Sequence, residues 1–156
     1  MSSLTRLLLL LSLMTYCFGQ DLKCASSTKF HIPNVEGNWF QATEYCNSIG
    51  MRLAVITNDQ DNANAVALAK SDRKYQPAVW IGGSDLGRKG DYYWQPTGAK
   101  FSYTRWQPGQ PDNYENTEDC TELRADNNWN WNDRNCVSVQ HFLCENVESK
   151  KVTILF

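Results

Sequence analysis

Histidine is scarce in this 156-residue chain, which has only His31 and His141. No Gly-x-Ser-x-Gly elbow and no His-Glu-x-x-His pattern occurs. The common nucleophile and zinc-hydrolase constellations are therefore missing, and little acid–base material is left for catalysis. No Cys-x-x-Cys pair is present either, which removes the usual zinc spacings. Basic residues are not in excess: Lys and Arg total 15 against 17 Asp and Glu, for a net charge of −2. A nucleic-acid binder working by charge would carry a basic surplus. Past the N-terminus no long apolar run exists, and a membrane span needs about 20 such residues. There is no Asn-x-Ser/Thr sequon, so N-glycosylation is not expected.

What is present points outward from the cell. Six Trp and six Cys are many for this length, and hydrophobic residues make up 42% against 21% charged. That balance excludes wholesale disorder and allows one domain with a real core. Residues 1–19 read as a secretory signal peptide: Arg6 is the basic start, Leu7 to Met14 the apolar stretch, and Cys17-Phe18-Gly19 a small-residue cleavage site before Gln20. The mature protein is expected to be secreted and extracellular, where disulfides persist. Cleavage removes Cys17 and leaves Cys24, Cys46, Cys120, Cys136 and Cys144. Five is odd, so at least one thiol lacks an internal partner, and spacing alone does not say which.

The periodicity of the chain changes half-way. Phe30 to Val35 could form a first strand. Asn38 and Gln41 resemble a capping box, and Trp39, Ala42, Cys46 and Ile49 recur at helical spacing until Gly50. This predicts a helix over 39–49. Leu53 to Ile56 reads as a strand. Thr57 with Gln60 looks like a second capping box, for a helix over 58–70. Short strands follow at Val79–Gly82, Tyr92–Trp94, Cys136–Val139 and Phe142–Glu145. Trp80, Trp94, Trp106 and Trp131 are expected in the core. The stretch from Trp106 to Asn130 is polar and aperiodic, with Pro108, Gly109 and Pro111. So long a structureless stretch is usually functional or disordered. Gln110, Asp112, Glu118, Asp119, Asn132 and Asp133, in or near it, are all hard oxygen donors. With no thiolate or imidazole among them, they favour Ca²⁺.

At these residues the chain resembles the C-type lectin family. Gln110-Pro111-Asp112, Glu118-Asp119-Cys120, Trp131-Asn132-Asp133 and Trp80-Ile81-Gly82-Gly83 stand in the family's order, with Gly83 where an apolar residue is more usual. The resemblance covers about residues 29–147. Residues 20–28 are then an N-terminal segment holding Cys24, and 148–156 a C-terminal tail. It implies an α+β, C-type lectin-like fold: two helices on small antiparallel sheets, a long Ca²⁺-stabilised loop region and two disulfides, Cys46–Cys144 and Cys120–Cys136. It implies a principal Ca²⁺ site of Gln110, Asp112, Glu118, Asn132 and Asp133, with a cis peptide before Pro111. It also implies an auxiliary site drawing on Asp85, Asn113, Glu118 and Asp119, which Lys89 opposes by standing where an acid is expected.

Function follows from the same resemblance. Gln-Pro-Asp reverses the donor and acceptor of the family's mannose-type Glu-Pro-Asn. It therefore implies glycans with terminal galactose or N-acetylgalactosamine. Tyr114 is a candidate for stacking on the sugar's apolar face, and Trp129 a second one. The expectation is a secreted Ca²⁺-dependent lectin, not an enzyme. The alternative is a lectin-like domain that binds a protein. Cys24 could join it to a second lectin chain, or could remain a free or capped thiol.

Overall fold

A computed structural model of the chain describes residues 28–147. The expected signal peptide (1–19), Cys24 and the expected C-terminal tail (148–156) lie outside those residues.

Helix α1 (Trp39–Ser48) starts where its cap predicts. The Asn38 side chain accepts from the Gln41 N–H and the Gln41 side chain accepts from the Asn38 N–H, each at 2.9 Å. Trp39, Ala42 and Cys46 form the buried stripe. The Trp39 indole also donates to the Ile81 carbonyl at 2.9 Å, which seats the helix on the sheet. Helix α2 (Asp59–Lys70) begins differently from the expectation. Asn58, not Thr57, is the cap, and its side chain accepts from the Asp61 N–H at 2.9 Å. Asn is at least as good a cap as Thr, and Asp59 and Asp61 then fall in the first turn, where negative charge suits the helix dipole.

Two sheets complete the domain. In the smaller, β1 (Phe30–His31), β9 (Cys144–Asn146) and β2 (Met51–Leu53) pair antiparallel in the order β1-β9-β2. In the larger the order is β5-β4-β3-β6-β7, from β3 (Ala78–Ser84), β4 (Tyr93–Trp94), β5 (Ala99–Lys100), β6 (Cys120–Arg124) and β7 (Asn130–Arg134). Strand β8 (His141–Phe142) joins β3 in parallel. Several expectations are corrected here. The strand sought at Leu53–Ile56 ends at Leu53. Cys136–Val139 is a turn, followed by a single bridge between Gln140 and Gly37. Phe142–Glu145 is split between β8 and β9, which belong to different sheets. The supposedly structureless stretch contains β6, an interior strand of the larger sheet between β3 and β7. Glu122 in the centre of β6 disguises it, because a fully buried acid breaks the apolar pattern of a core strand.

The two disulfides pair as the resemblance implies. Cys46–Cys144 ties α1 to β9 with a Cα–Cα distance of 5.5 Å. Cys120–Cys136 ties the start of β6 to the turn after β7 at 5.2 Å. Trp80, Trp94 and Trp131 are fully buried and Trp106 partly so. The rings of Trp94 and Phe101 stack at 4.2 Å, with the Trp131 ring edge-on to both. Gly83 has a packing reason. A β-carbon there would lie 2.7 Å from the Thr121 hydroxyl and run into the Phe101 ring. Among the described residues no helix is long and apolar enough to cross a membrane.

Candidate functional site

The site forms where the Gln110–Pro111 loop meets β7. That peptide bond is cis, as is Gln76–Pro77. After it, two successive backbone N–H groups point at one carboxylate. Asp112 donates to Asp133 Oδ1 at 3.2 Å, and Asn113 donates to Oδ2 at 2.7 Å. The Tyr92 hydroxyl, from beneath, donates to the same Oδ2 at 3.3 Å. Asp133 is fully buried on β7, so the loop is fastened to a rigid strand. Asn113 sits at φ 46°, and Glu115 and Asn116 are also left-handed. The Asn113 side chain offsets some of that strain by accepting from the Glu118 N–H at 3.1 Å.

Three acids converge here. Asp112, Glu118 and Asp133 each offer an oxygen, and the three lie within 4.8 Å of one another. Among the described residues this is the one such group of three or more metal-capable side chains. Burial, and then the charges of Asp133 and Asp112, push the Glu118 carboxyl above the usual range. Arg134, with its Nη1 3.6 Å from Glu118, works in the opposite direction. Like charges at about 4 Å repel by about 4 kcal/mol at an effective dielectric near 20. A cation between them turns that cost into binding. The donor set is all oxygen, so a hard divalent ion such as Ca²⁺ fits it, and a zinc-like ion does not.

The other expected ligands, Asn132 and Gln110, are neighbours of Asp133 and Asp112 in the chain. Asn132 is buried next to Asp133, with its side-chain NH₂ donating to Glu122 Oε1 at 3.0 Å and lying against the Asp133 carbonyl. Both amide hydrogens are thus engaged, which leaves the amide oxygen available. Gln110 is half-exposed, and its carbonyl accepts from the Asp112 N–H at 2.9 Å. Tyr114 is 63% exposed beside the acids in sequence, as a stacking ring requires. Trp129 is a correction. It is 5% exposed and packed in the core, because left-handed Asn128 and Trp129 fold the ring inward.

In the auxiliary group a cation of the chain itself meets one of the acids. Lys89 forms an ion pair with Asp119. Asp85 is buried, accepts from the Gly90 N–H at 2.8 Å through Oδ2, and has no hydrogen-bond partner at Oδ1. Two polar residues at the principal site carry little signal in the sequence. Tyr92 reads only as part of a strand, and Glu122 as part of the irregular stretch. The one available signal for Glu122 was an acid flanked by Thr121 and Leu123.

Residues 35–146 match the family profile described as "Lectin C-type domain". The chain belongs to the C-type lectin family. It is 40% identical over 129 residues to "C-type lectin 16" of Aedes aegypti, covering 78% of this chain and 84% of that one. It is 35% identical over 130 residues to "Salivary C-type lectin 2" of Aedes albopictus, covering 79% and 86%. Among solved structures it is similar to C-type lectin CEL-I from Cucumaria echinata, with 27% identity, a TM-score of 0.65, and coverage of 74% of this chain and 86% of that one. Membership makes this C-type lectin a carbohydrate-binding protein of a generally non-enzymatic family.

Proposed function

We propose that the chain is a secreted, Ca²⁺-dependent lectin selective for terminal galactose or N-acetylgalactosamine. The observation that carries the reading is the convergence of Asp112, Glu118 and Asp133 within 4.8 Å, with no thiolate or imidazole among them. Asp112, Glu118, Asn132, Asp133 and Gln110 would hold the ion, and Ca²⁺ would supply a Lewis-acidic anchor for two sugar hydroxyls. Asp112 and Glu118 accept hydrogen bonds from those hydroxyls, and the Gln110 amide can donate to them. Gln110 on the donor side and Asp112 on the acceptor side favour an axial 4-hydroxyl. Exposed Tyr114 is placed to stack on the sugar's apolar face. The salivary name of one relative and the N-terminal signal pattern support secretion. By family analogy the glycans belong to cells or microbes.

The test is capture of the mature protein on immobilised galactose and on mannose, each with Ca²⁺ and with a chelator. Chelator-sensitive capture on galactose is expected. Capture that ignores the chelator sinks the calcium reading, and preference for mannose sinks the sugar assignment. A folded protein held by neither sugar points instead to a protein partner.

A further inference from the structure

We propose that Glu122 is a positioning residue for the cation site. It turns the Asn132 amide so that its oxygen, not its nitrogen, faces the ion. The inference rests on the calcium reading above. Glu122 and Asn132 are directly opposed in the β6–β7 register. Both are buried, Glu122 completely. Glu122 Oε1 accepts from Asn132 Nδ2 at 3.0 Å and from Arg124 Nη1 at 3.3 Å. Its Oε2 accepts from Gln140 Nε2 at 2.9 Å. Every partner is a donor, and a carboxylate held this way only accepts.

That chemistry matters because an amide has two ends of nearly equal size. An Asn beside a cation helps only if the oxygen is turned toward it. An acceptor-only group on the opposite strand selects the NH₂ end for itself and leaves the oxygen for the ion. A neutral amide or hydroxyl at 122 could satisfy either orientation and would select neither. A buried carboxylate is also an expensive way to fill the centre of a strand. The plainer reading is that Glu122 only ties β6 to the turn that follows β7. Gln140 does exchange backbone hydrogen bonds with Gly37 at 3.0 and 3.1 Å. A tie of that kind sets stability and leaves the ion's affinity for the folded protein alone.

The two readings separate in a pair of variants. In Glu122→Gln the new amide has one acceptor and cannot accept from both Asn132 and Gln140. In the double variant Glu122→Gln/Gln140→Glu it accepts from Asn132 and donates to the new carboxylate. Calorimetric Ca²⁺ titration is expected to show about a 10-fold loss of affinity in the single variant, as is usual for outer-shell partners, and recovery of most of it in the double variant. Wild-type affinity in the single variant overturns the proposal, as does a loss that the double variant fails to recover. If the single variant does not fold, the double variant decides: near-wild-type affinity supports the proposal and weak affinity overturns it. A readout without calcium keeps this separate from the calcium reading. In the chelated wild-type protein the Asn132 side-chain NH₂ should exchange slowly with water by NMR. Fast exchange overturns the proposal, even if no Ca²⁺ binding is ever found.

Discussion

The Asn113 N–H donates to the Asp133 carboxylate across 2.7 Å, from twenty residues away in the chain. Asp133 therefore does two jobs. It belongs to the acid cluster, and it clips the cis-proline loop to β7. The loop keeps its shape through this residue, while Asp112 and Glu118 supply the remaining charge.

Replacing Asp133 should consequently remove the ion site and loosen the loop together. Asp133→Ala is expected to weaken Ca²⁺ binding by at least about 100-fold, beyond the upper end for outer-shell losses. Sugar capture should vanish with it. Both disulfides should still form, because their four cysteines lie on α1, β6, β9 and the turn after β7, outside the 110–113 segment. Calorimetry, with mass spectrometry of the bridges, checks both halves. Retained Ca²⁺-dependent capture counts against this site.

Sugar choice is assigned to the tripeptide. Gln110→Glu combined with Asp112→Asn exchanges donor and acceptor without changing size. Preference on immobilised sugars should move from galactose toward mannose, while Ca²⁺ dependence persists. An unchanged galactose preference would mean that another residue selects the sugar.

Lys89 stands as an internal cation against Asp119. Lys89→Glu reverses the charge that pairs with Asp119, and should convert that group into a second ion site. The Ca²⁺ stoichiometry should rise from one per chain to two. A stoichiometry of two in the unmodified protein would show that Lys89 does not exclude the ion.

The two bridges should differ in value. Cys46–Cys144 spans 98 residues and Cys120–Cys136 spans 16. Chain entropy assigns about 4.7 kcal/mol to a loop near 100 residues and about 3 kcal/mol to one near 15. Paired Cys→Ser variants should melt in that order, with the first losing more. Only the second is expected to alter Ca²⁺ affinity, because Cys120 follows the Glu118-Asp119 pair directly. Equal losses in calorimetric melts would deny the entropic account.

Much of this was legible in the sequence because it is local. The Asn38–Gln41 capping box announces α1 within four residues, and the helix ends one residue before the expected limit. The acids and amides of the site could be picked out because no sulfur or imidazole competes with them. The α2 cap was misplaced by one residue, since Thr57 and Asn58 are both good caps and only the backbone chooses between them. The strand expected at Cys136–Val139 failed for a different reason. Its alternation of valine with polar residues suits a strand, but Val137 and Val139 remain 64% and 65% exposed.

The family, the cluster of oxygen-bearing side chains and the extents of the helices to within a residue or two can be read from the chain alone. Each of these depends on neighbours along the chain. Tertiary structure puts β6 inside the larger sheet, between β3 and β7. It alone set Glu122 against Asn132 and Tyr92 beneath Asp133, and turned Trp129 into the core. Those outcomes depend on strand register and packing between distant segments, and a side chain's partner across a sheet is not encoded by its neighbours in the chain.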